Sequence, residues 1–245
     1  EQLFTQSLGL TSPRAVTGFD FRPAEGAIHF MVECQASRLP CPACGALDQP
    51  IHDRLARRWQ HLHFFQFKAF IEARVPRVAC RQCNKTGQCE VPWSRPGSGF
   101  SAVMEAFVTA LCQGMPVAQV ARLLGVSDDR VWRVLEHYIP KARAAESMTS
   151  MSKLAVDETS SRRGAFISVF FDAEQRRLLF ATPGRNAATF KAFAEDLRER
   201  GGAPEAITDV SMDMSKAFQA GARAQCPQAQ ISFDPFHVVQ LASTA

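Results

Sequence analysis

Three short apolar segments of this 245-residue chain each end in an aspartate: Lys153 to Asp157, Ala206 to Asp213 and Ala229 to Asp234. Carboxylate oxygens are hard ligands that suit Mg²⁺ or Mn²⁺. A pair of them at the ends of neighbouring strands can hold two ions about 3.5 to 4 Å apart, one activating the attacking oxygen of a phosphodiester and the other stabilising the leaving oxygen. Any one of these aspartates alone reads equally well as a strand-end cap or turn former. Their recurrence on three strands is what points to metal chemistry.

A second constellation is made of cysteines. Cys41-Pro-Ala-Cys44-Gly45 is followed, thirty-six positions after Cys44, by Cys80-Arg-Gln-Cys83. Two such knuckles, each turning two thiolates toward one ion, have the form of a tetrahedral Zn²⁺ site, so Cys41, Cys44, Cys80 and Cys83 are the expected ligands. His52, His61, His63 and Cys89 are the alternative ligands the sequence offers. The interval between the knuckles is longer than in a simple ribbon and predicts a hairpin or sheet of its own.

The elements that must position these groups follow from periodicity. Alternation over Ala15 to Arg22 and Ala27 to Cys34, around Pro23 to Gly26, predicts a hairpin. From Phe67 onward, apolar residues alternate with Lys68, Arg74 and Arg77, which predicts a strand with one face on the zinc-bound core. Its basic face suits either nucleic acid or plain solvent. Pro92 to Gly99 reads as a linker, and helices are expected near Ala102 to Gln113, Val117 to Leu124 and Asp128 to Tyr138.

Ala121, Gly125, Val131 and Val134 have the spacing of a helix-turn-helix: a small residue where the helices cross, glycine in the turn, and apolar residues seating the second helix. Ser127 is its expected N-cap, and Arg130, Trp132 and Arg133 are the expected DNA-facing residues. Asp128 and Asp129 make this helix less basic than a strong recognition helix, and a helical bundle without DNA contact satisfies the same pattern. After a polar stretch, Lys141 to Ser152, strands are expected over Lys153 to Thr159, Gly164 to Asp172 and Arg177 to Thr182. A helix over Asn186 to Arg200, the strand ending at Asp213, a helix over Ser215 to Gln225, the strand ending at Asp234 and a helical start at Phe236 to Ala242 complete the order. Three strands, helix, strand, helix, strand is the ribonuclease H-like order, in which the first and fourth strands lie side by side and Asp157 meets Asp213.

The division expected is a strand-rich zinc module over 1–99, a helix-turn-helix and linker over 100–150, and an incomplete α/β catalytic domain over 151–245, a multidomain α+β chain. With 46% hydrophobic residues the chain can fill real cores, and it has neither a signal pattern nor a membrane-length apolar run, so a soluble, cytoplasmic protein is expected. The missing initiator Met suggests trimmed ends. The net charge of +4 lies entirely in residues 1 to 100, where 12 basic side chains face 8 acidic ones, a balance that favours a polyanionic partner for that part.

Together the Cys41 to Gly45 knuckle with its later cysteine pair, the helix-turn-helix, Val156-Asp-Glu-Thr-Ser160, Val210-Ser-Met-Asp-Met-Ser215 and Asp234-Pro-Phe-His-Val238 resemble the insertion-sequence L-three family of bacterial transposases. The resemblance runs from Cys41 to His237. It implies a DDE-type transposase that cuts transposon ends and joins them to target DNA, in a nucleoid-associated synaptic complex that is a homo-oligomer. It makes Asp157 and Asp213 the first two catalytic acids and brings Asp234 and His237 close to them. The third acid, a glutamate on a later helix, has no candidate, because eight residues follow His237, and Glu158 should point to the other side of its strand. A truncated remnant that binds ends or represses its promoter without cutting is the competing expectation, distinguished by whether a Glu-bearing helix follows Ala245. A zinc-ribbon regulator with an unrelated ligand domain is a third, and it has no need for Asp157 beside Asp213.

Overall fold

The alternating residues between the two cysteine pairs fold as one long hairpin, and the rest of the N-terminal half is built against it. The computed structural model describes residues 2–162 and 164–234 and divides into two units, Glu1–Tyr138 and Ile139–Ala245.

In the first unit, helix α1 (Gln2–Ser7) precedes β1 (Arg14–Arg22), β2 (Ala27–Cys34) and β3 (Arg38–Leu39). The hairpin strands are β4 (Gln49–Phe64) and β5 (Phe67–Ala79), followed by β6 (Thr86–Gln88). The strand order is β1-β2-β5-β4-β3, with β6 paired to β5. The expected first hairpin forms as β1 and β2, antiparallel from Arg14 opposite Cys34 to Arg22 opposite Ala27. Along β5, Ala69, Ile71, Ala73 and Val75 are buried while Lys68, Phe70, Glu72 and Arg74 stand on the other face, the two-residue period of a half-buried strand. Trp59, Trp93, Val16 and Val32 close the core over the buried face. Helix α1 had no counterpart among the expected elements; Phe4 and Leu8 hold it against Ile28 and Phe30.

Helices α2 (Ala102–Cys112), α3 (Val117–Leu124) and α4 (Asp128–Ala145) complete this part of the chain. Ser101 caps α2 by accepting from the Met104 N–H. Ala121, Val131 and Val134 are buried with Phe100, Met104 and Leu124, and Leu62 of β4 packs into the same cluster. Gly125 ends α3 at φ 62°, the left-handed conformation its place in the turn requires. A buried carboxylate, Glu105, accepts from Arg95 at 3.0 Å, Ser98 at 2.6 Å and Tyr138 at 2.8 Å, tying α2 to the preceding loop and to α4. Helix α4 runs past its expected end at Tyr138 and through Pro140. Arg143 in its last turn donates to Asp196 at 2.6 Å, a tertiary contact that sequence composition does not carry.

The second unit contains β7 (Lys153–Arg162), β8 (Ala165–Asp172), β9 (Arg177–Pro183), α5 (Ala187–Glu199), β10 (Asp209–Met212), α6 (Lys216–Gln225) and β11 (Gln230–Phe233). Their order in the sheet is β11-β10-β7-β8-β9. β7, β8 and β9 form an antiparallel meander, and β10 is parallel to both β7 and β11. This is the ribonuclease H-like topology, with the first and fourth strands adjacent. One face carries Leu154, Val156, Phe170, Val210 and Met212, covered by Phe190, Phe193 and Leu197 of α5 and Phe218 and Ala222 of α6. The helical start expected at Phe236 to Ala242 lies outside the described residues.

The two helices meet at Gly221, where a Cβ would stand 2.8 Å from Cδ2 of the fully buried Phe190. Valine there gains roughly 0.4 kcal/mol of helix propensity over glycine but forces a repacking that costs about 1–3 kcal/mol. Gly221→Val is therefore expected to destabilise the second unit by roughly 2 kcal/mol net, read as a lowered midpoint in denaturant unfolding.

Candidate functional site

The cysteines are assembled by two turns of the same construction. In the first, the Cys41 N–H bonds to Ala46 O and the Gly45 N–H to Cys41 O; in the second, the Cys80 N–H bonds to Lys85 O and the Asn84 N–H to Cys80 O. Gly45 and Asn84 occupy equivalent positions with φ of 75° and 55°. Each turn also aims backbone N–H groups at its first sulfur, Ala43 at Cys41 and Gln82 and Cys83 at Cys80, all at 3.4 Å. The four Sγ atoms lie within 4.8 Å of one another, with Cys41 to Cys83 at 3.7 Å and Cys44 to Cys80 at 3.6 Å. A tetrahedron with Zn–S bonds of about 2.3 Å has edges of about 3.8 Å, so the donor set fits zinc in both chemistry and size.

Electrostatics say the same. The Cys44 N–H and then the Ala43 N–H bring the Cys41 thiol down to about 6, and the Cys83 N–H lowers Cys80. At Cys44 the Ala46 N–H favours the thiolate, but burial and the neighbouring Cys41, Cys80 and Cys83 sulfurs outweigh it and push the thiol up to about 12. Four thiolates this close repel one another, and a divalent cation removes that penalty. Among the described residues this is the one group of three or more ligand atoms gathered for a common ion. His61 instead bonds to Ser101 Oγ at 2.8 Å, His52 stands beside Asp53, and Cys89 is a separate buried thiol whose pKa burial raises.

On the helix-turn-helix, Trp132 is 50% exposed and Arg133 is exposed, both on the outer side of α4. Arg130 turns inward, its guanidinium 4.0 Å over the Phe100 ring. Lys68 lies against Gly125, at the carbonyl end of α3, where a cation is favourable. Arg74 shares the outer face of β5 with Lys68. Arg77 is on the opposite face and forms a two-pronged ion pair with Asp53; the Arg77 bonds hold that carboxyl down at about 2. Alternation along β5 already puts Arg74 and Arg77 on opposite faces; what the sequence pattern does not carry is the pairing of Arg77 with the distant Asp53.

Strand register lines the three aspartates up in a row, without gathering them as closely as the four sulfurs. Asp209, Val210 and Ser211 pair with Lys153, Leu154 and Ala155, and Met212 pairs with Phe233. Carrying both ladders on puts Asp213 level with Asp157 on one side and with Asp234 on the other, on strands about 4.8 Å apart. The Asp234 N–H bonds to Met212 O at 3.0 Å, which keeps β11 in step to its end. Val156, Met212 and Phe233 pack toward the helices, so by alternation the three acids share the other face. Asp157 Oδ1 accepts from the Glu158 N–H at 2.7 Å and Asp213 Oδ1 from the Ser215 N–H at 3.0 Å, each leaving a second oxygen for a ligand. Glu158 stands on the helix side, 3.5 Å from Arg185, which separates it from the three aspartates as alternation predicts. His237 lies outside the described residues.

Comparison with known proteins finds three matching families along the chain. Residues 37–83 match the zinc-finger of transposase IS204/IS1001/IS1096/IS1165, residues 89–139 the helix-turn-helix domain of transposase family ISL3, and residues 154–245 the ISL3 transposase domain. The transposase for insertion sequence element IS1001 of Bordetella parapertussis is 29% identical over 205 residues, covering 81% of this chain and 49% of that protein. The transposase for insertion sequence element IS1557 of Mycobacterium tuberculosis (strain CDC 1551 / Oshkosh) is 31% identical over 217 residues, covering 84% and 46%. The chain thus spans about half the length of these relatives. A crystal structure of the Mos1 strand transfer complex aligns over 60% of this chain and 61% of that one at 13% identity, with a TM-score of 0.23, too low to indicate a shared arrangement.

Elemental analysis of the purified chain is expected to give one zinc per molecule. Stripping it with a strong chelator should abolish the thermal transition of the first unit and leave that of the second in place; an unchanged first transition in protein free of zinc would reject the assignment.

Proposed function

Because the chain belongs to the ISL3 family of transposases, we propose that it binds the double-stranded ends of its transposon and supplies two of the three acids for metal-dependent cleavage and strand transfer. The observation that carries this reading is the register that sets Asp157, Asp213 and Asp234 level on adjacent strand ends, on the face away from α5 and α6.

In this reading Asp157 and Asp213 are the metal-holding carboxylates, and Asp234 with His237 stands beside them to orient a phosphate or an acid. Mg²⁺ or Mn²⁺ bound there supplies activation of the attacking oxygen and stabilisation of the leaving one. The aspartates' part is to stand side by side on neighbouring strands, held there by hydrogen-bonded ladders that fix them before the reaction. Glu158, paired with Arg185 on the other side of the sheet, is not the third acid. In this reading residues 151–245 supply two of the three acids, and the stretch binds ends without cutting them on its own.

Residues 1–99 and 100–150 do the recognising and residues 151–245 the chemistry. Trp132 and Arg133 enter a groove, and Lys68 and Arg74 meet the phosphate backbone beside it; Arg77, neutralised by Asp53, contributes less. Cutting both ends and joining them to target DNA calls for more than one copy of the chain in a synaptic complex. The setting is the cytoplasm, at the nucleoid, and no described helix is long and apolar enough to cross a membrane.

In the intact transposase, Asp157→Asn or Asp213→Asn is expected to abolish strand cleavage while end-binding stays within about twofold of wild type, measured by gel shift and end-nicking on one substrate. Retained cleavage by either variant would refute the two-acid site. End-binding should also weaken steeply between low and moderate salt, since phosphate contacts release counterions.

A further inference from the structure

We propose that Arg130, although it stands on the recognition helix, does not contact DNA, and that with Gln60 it fixes the helix-turn-helix in position on the zinc-bound sheet. The inference rests on the DNA-binding reading above and assigns Arg130 and Gln60 as positioning residues.

The guanidinium of Arg130 already has two of its N–H donors and one of its faces engaged within the protein. It lies over the buried ring of Phe100, Nη1 donates to Gln60 Oε1 at 3.3 Å, and Nη2 donates to Gly99 O at 3.1 Å. Reaching a base edge would cost both hydrogen bonds, each worth about 1 kcal/mol net, and a desolvated cation–π contact worth up to about 2 kcal/mol. Its neighbours Trp132 and Arg133 have no such ties to the sheet.

Gln60 is the other half of the clamp. It is 4% exposed, and its two ends serve two helices: Oε1 accepts from Arg130 in α4, and Nε2 donates to Leu124 O at the end of α3 at 3.4 Å. Its backbone is bonded on both sides, the Gln60 N–H to Gly99 O at 2.9 Å and the Ser101 N–H to Gln60 O at 3.0 Å, so the side chain has a fixed origin. The same strand begins at Gln49, whose Oε1 accepts from the Arg81 N–H inside the second cysteine turn at 2.9 Å. One strand therefore joins the zinc site to both helices of the reader. Removing the clamp should loosen the reader without removing a contact to DNA.

The test uses the zinc-loaded chain and a duplex carrying the end of its own transposon, with Gln60→Met and Arg130→Met made singly and together. Each single variant is expected to weaken binding about tenfold, which is 1.4 kcal/mol, and the double variant to be no worse, because both break one clamp. The slope of log affinity against log salt should stay at the wild-type value in all three. A slope smaller by about 0.9 in Arg130→Met, as a lost phosphate contact requires, together with additive losses, would overturn the proposal. Hydrogen exchange supplies an arm that needs no DNA: amides of residues 121–135 should exchange faster in Gln60→Met at unchanged zinc content, and unchanged exchange there would also overturn it. If the wild-type chain does not bind the end duplex, the DNA-binding reading fails, and the exchange result still decides whether the clamp exists.

Discussion

A β-strand sends successive side chains to opposite faces, and hydrogen-bonded ladders hold neighbouring strands in a fixed register; these two constraints aim most of the functional groups of this protein. In the second unit they set three aspartates level on one face and turn Glu158 to the other. A slip of one residue in the pairing of β10 with β7 would bury Asp213 under α6 and expose Met212, so the apolar core and the acid site specify the same register. The site needs no special loop. Its precision is that of the sheet, held by Phe170, Phe190, Phe193 and Phe218 beneath it.

In the first unit the same alternation separates Lys68 and Arg74 from Arg77 and puts Gln60 under the helices. Here the far end of the sheet carries the four sulfurs, beside the buried Val78. The pairing of β4 with β5 runs from Ile51 opposite Val78, beside the cysteine turns, to Phe64 opposite Phe67, beside the helix-turn-helix. In the proposed reading, the zinc site at one end and DNA recognition at the other are two ends of one hairpin.

Much of this was legible in the residues. The knuckle spacing of Cys41, Cys44, Cys80 and Cys83 names its own ligands, because few other uses bring thiols together in such pairs. Ala121, Gly125, Val131 and Val134 announce the turn between helices by size and backbone freedom alone. The order of strands and helices after Lys153 determines which strands are neighbours. What could not be read is whatever depends on partners far away in sequence. Nothing near Arg130 in the sequence reveals its bond to Gln60, seventy positions earlier. The pairing of Arg77 with the distant Asp53 is hidden in the same way. The end of α4, Lys141 to Ala145, reads as linker because its support, Asp196, lies in another helix.

The central claim is that Asp157 and Asp213, with Asp234 beside them, hold a divalent metal ion. The direct measurement is a Mn²⁺ titration of the zinc-loaded chain followed by amide resonance broadening, which reports distance from a paramagnetic ion. The account predicts broadening centred on residues 157, 213 and 234 and their neighbours on the same face, reversed by excess Mg²⁺. Broadening that spares those strand ends, or that centres on the helix-covered side around Glu158, would contradict it.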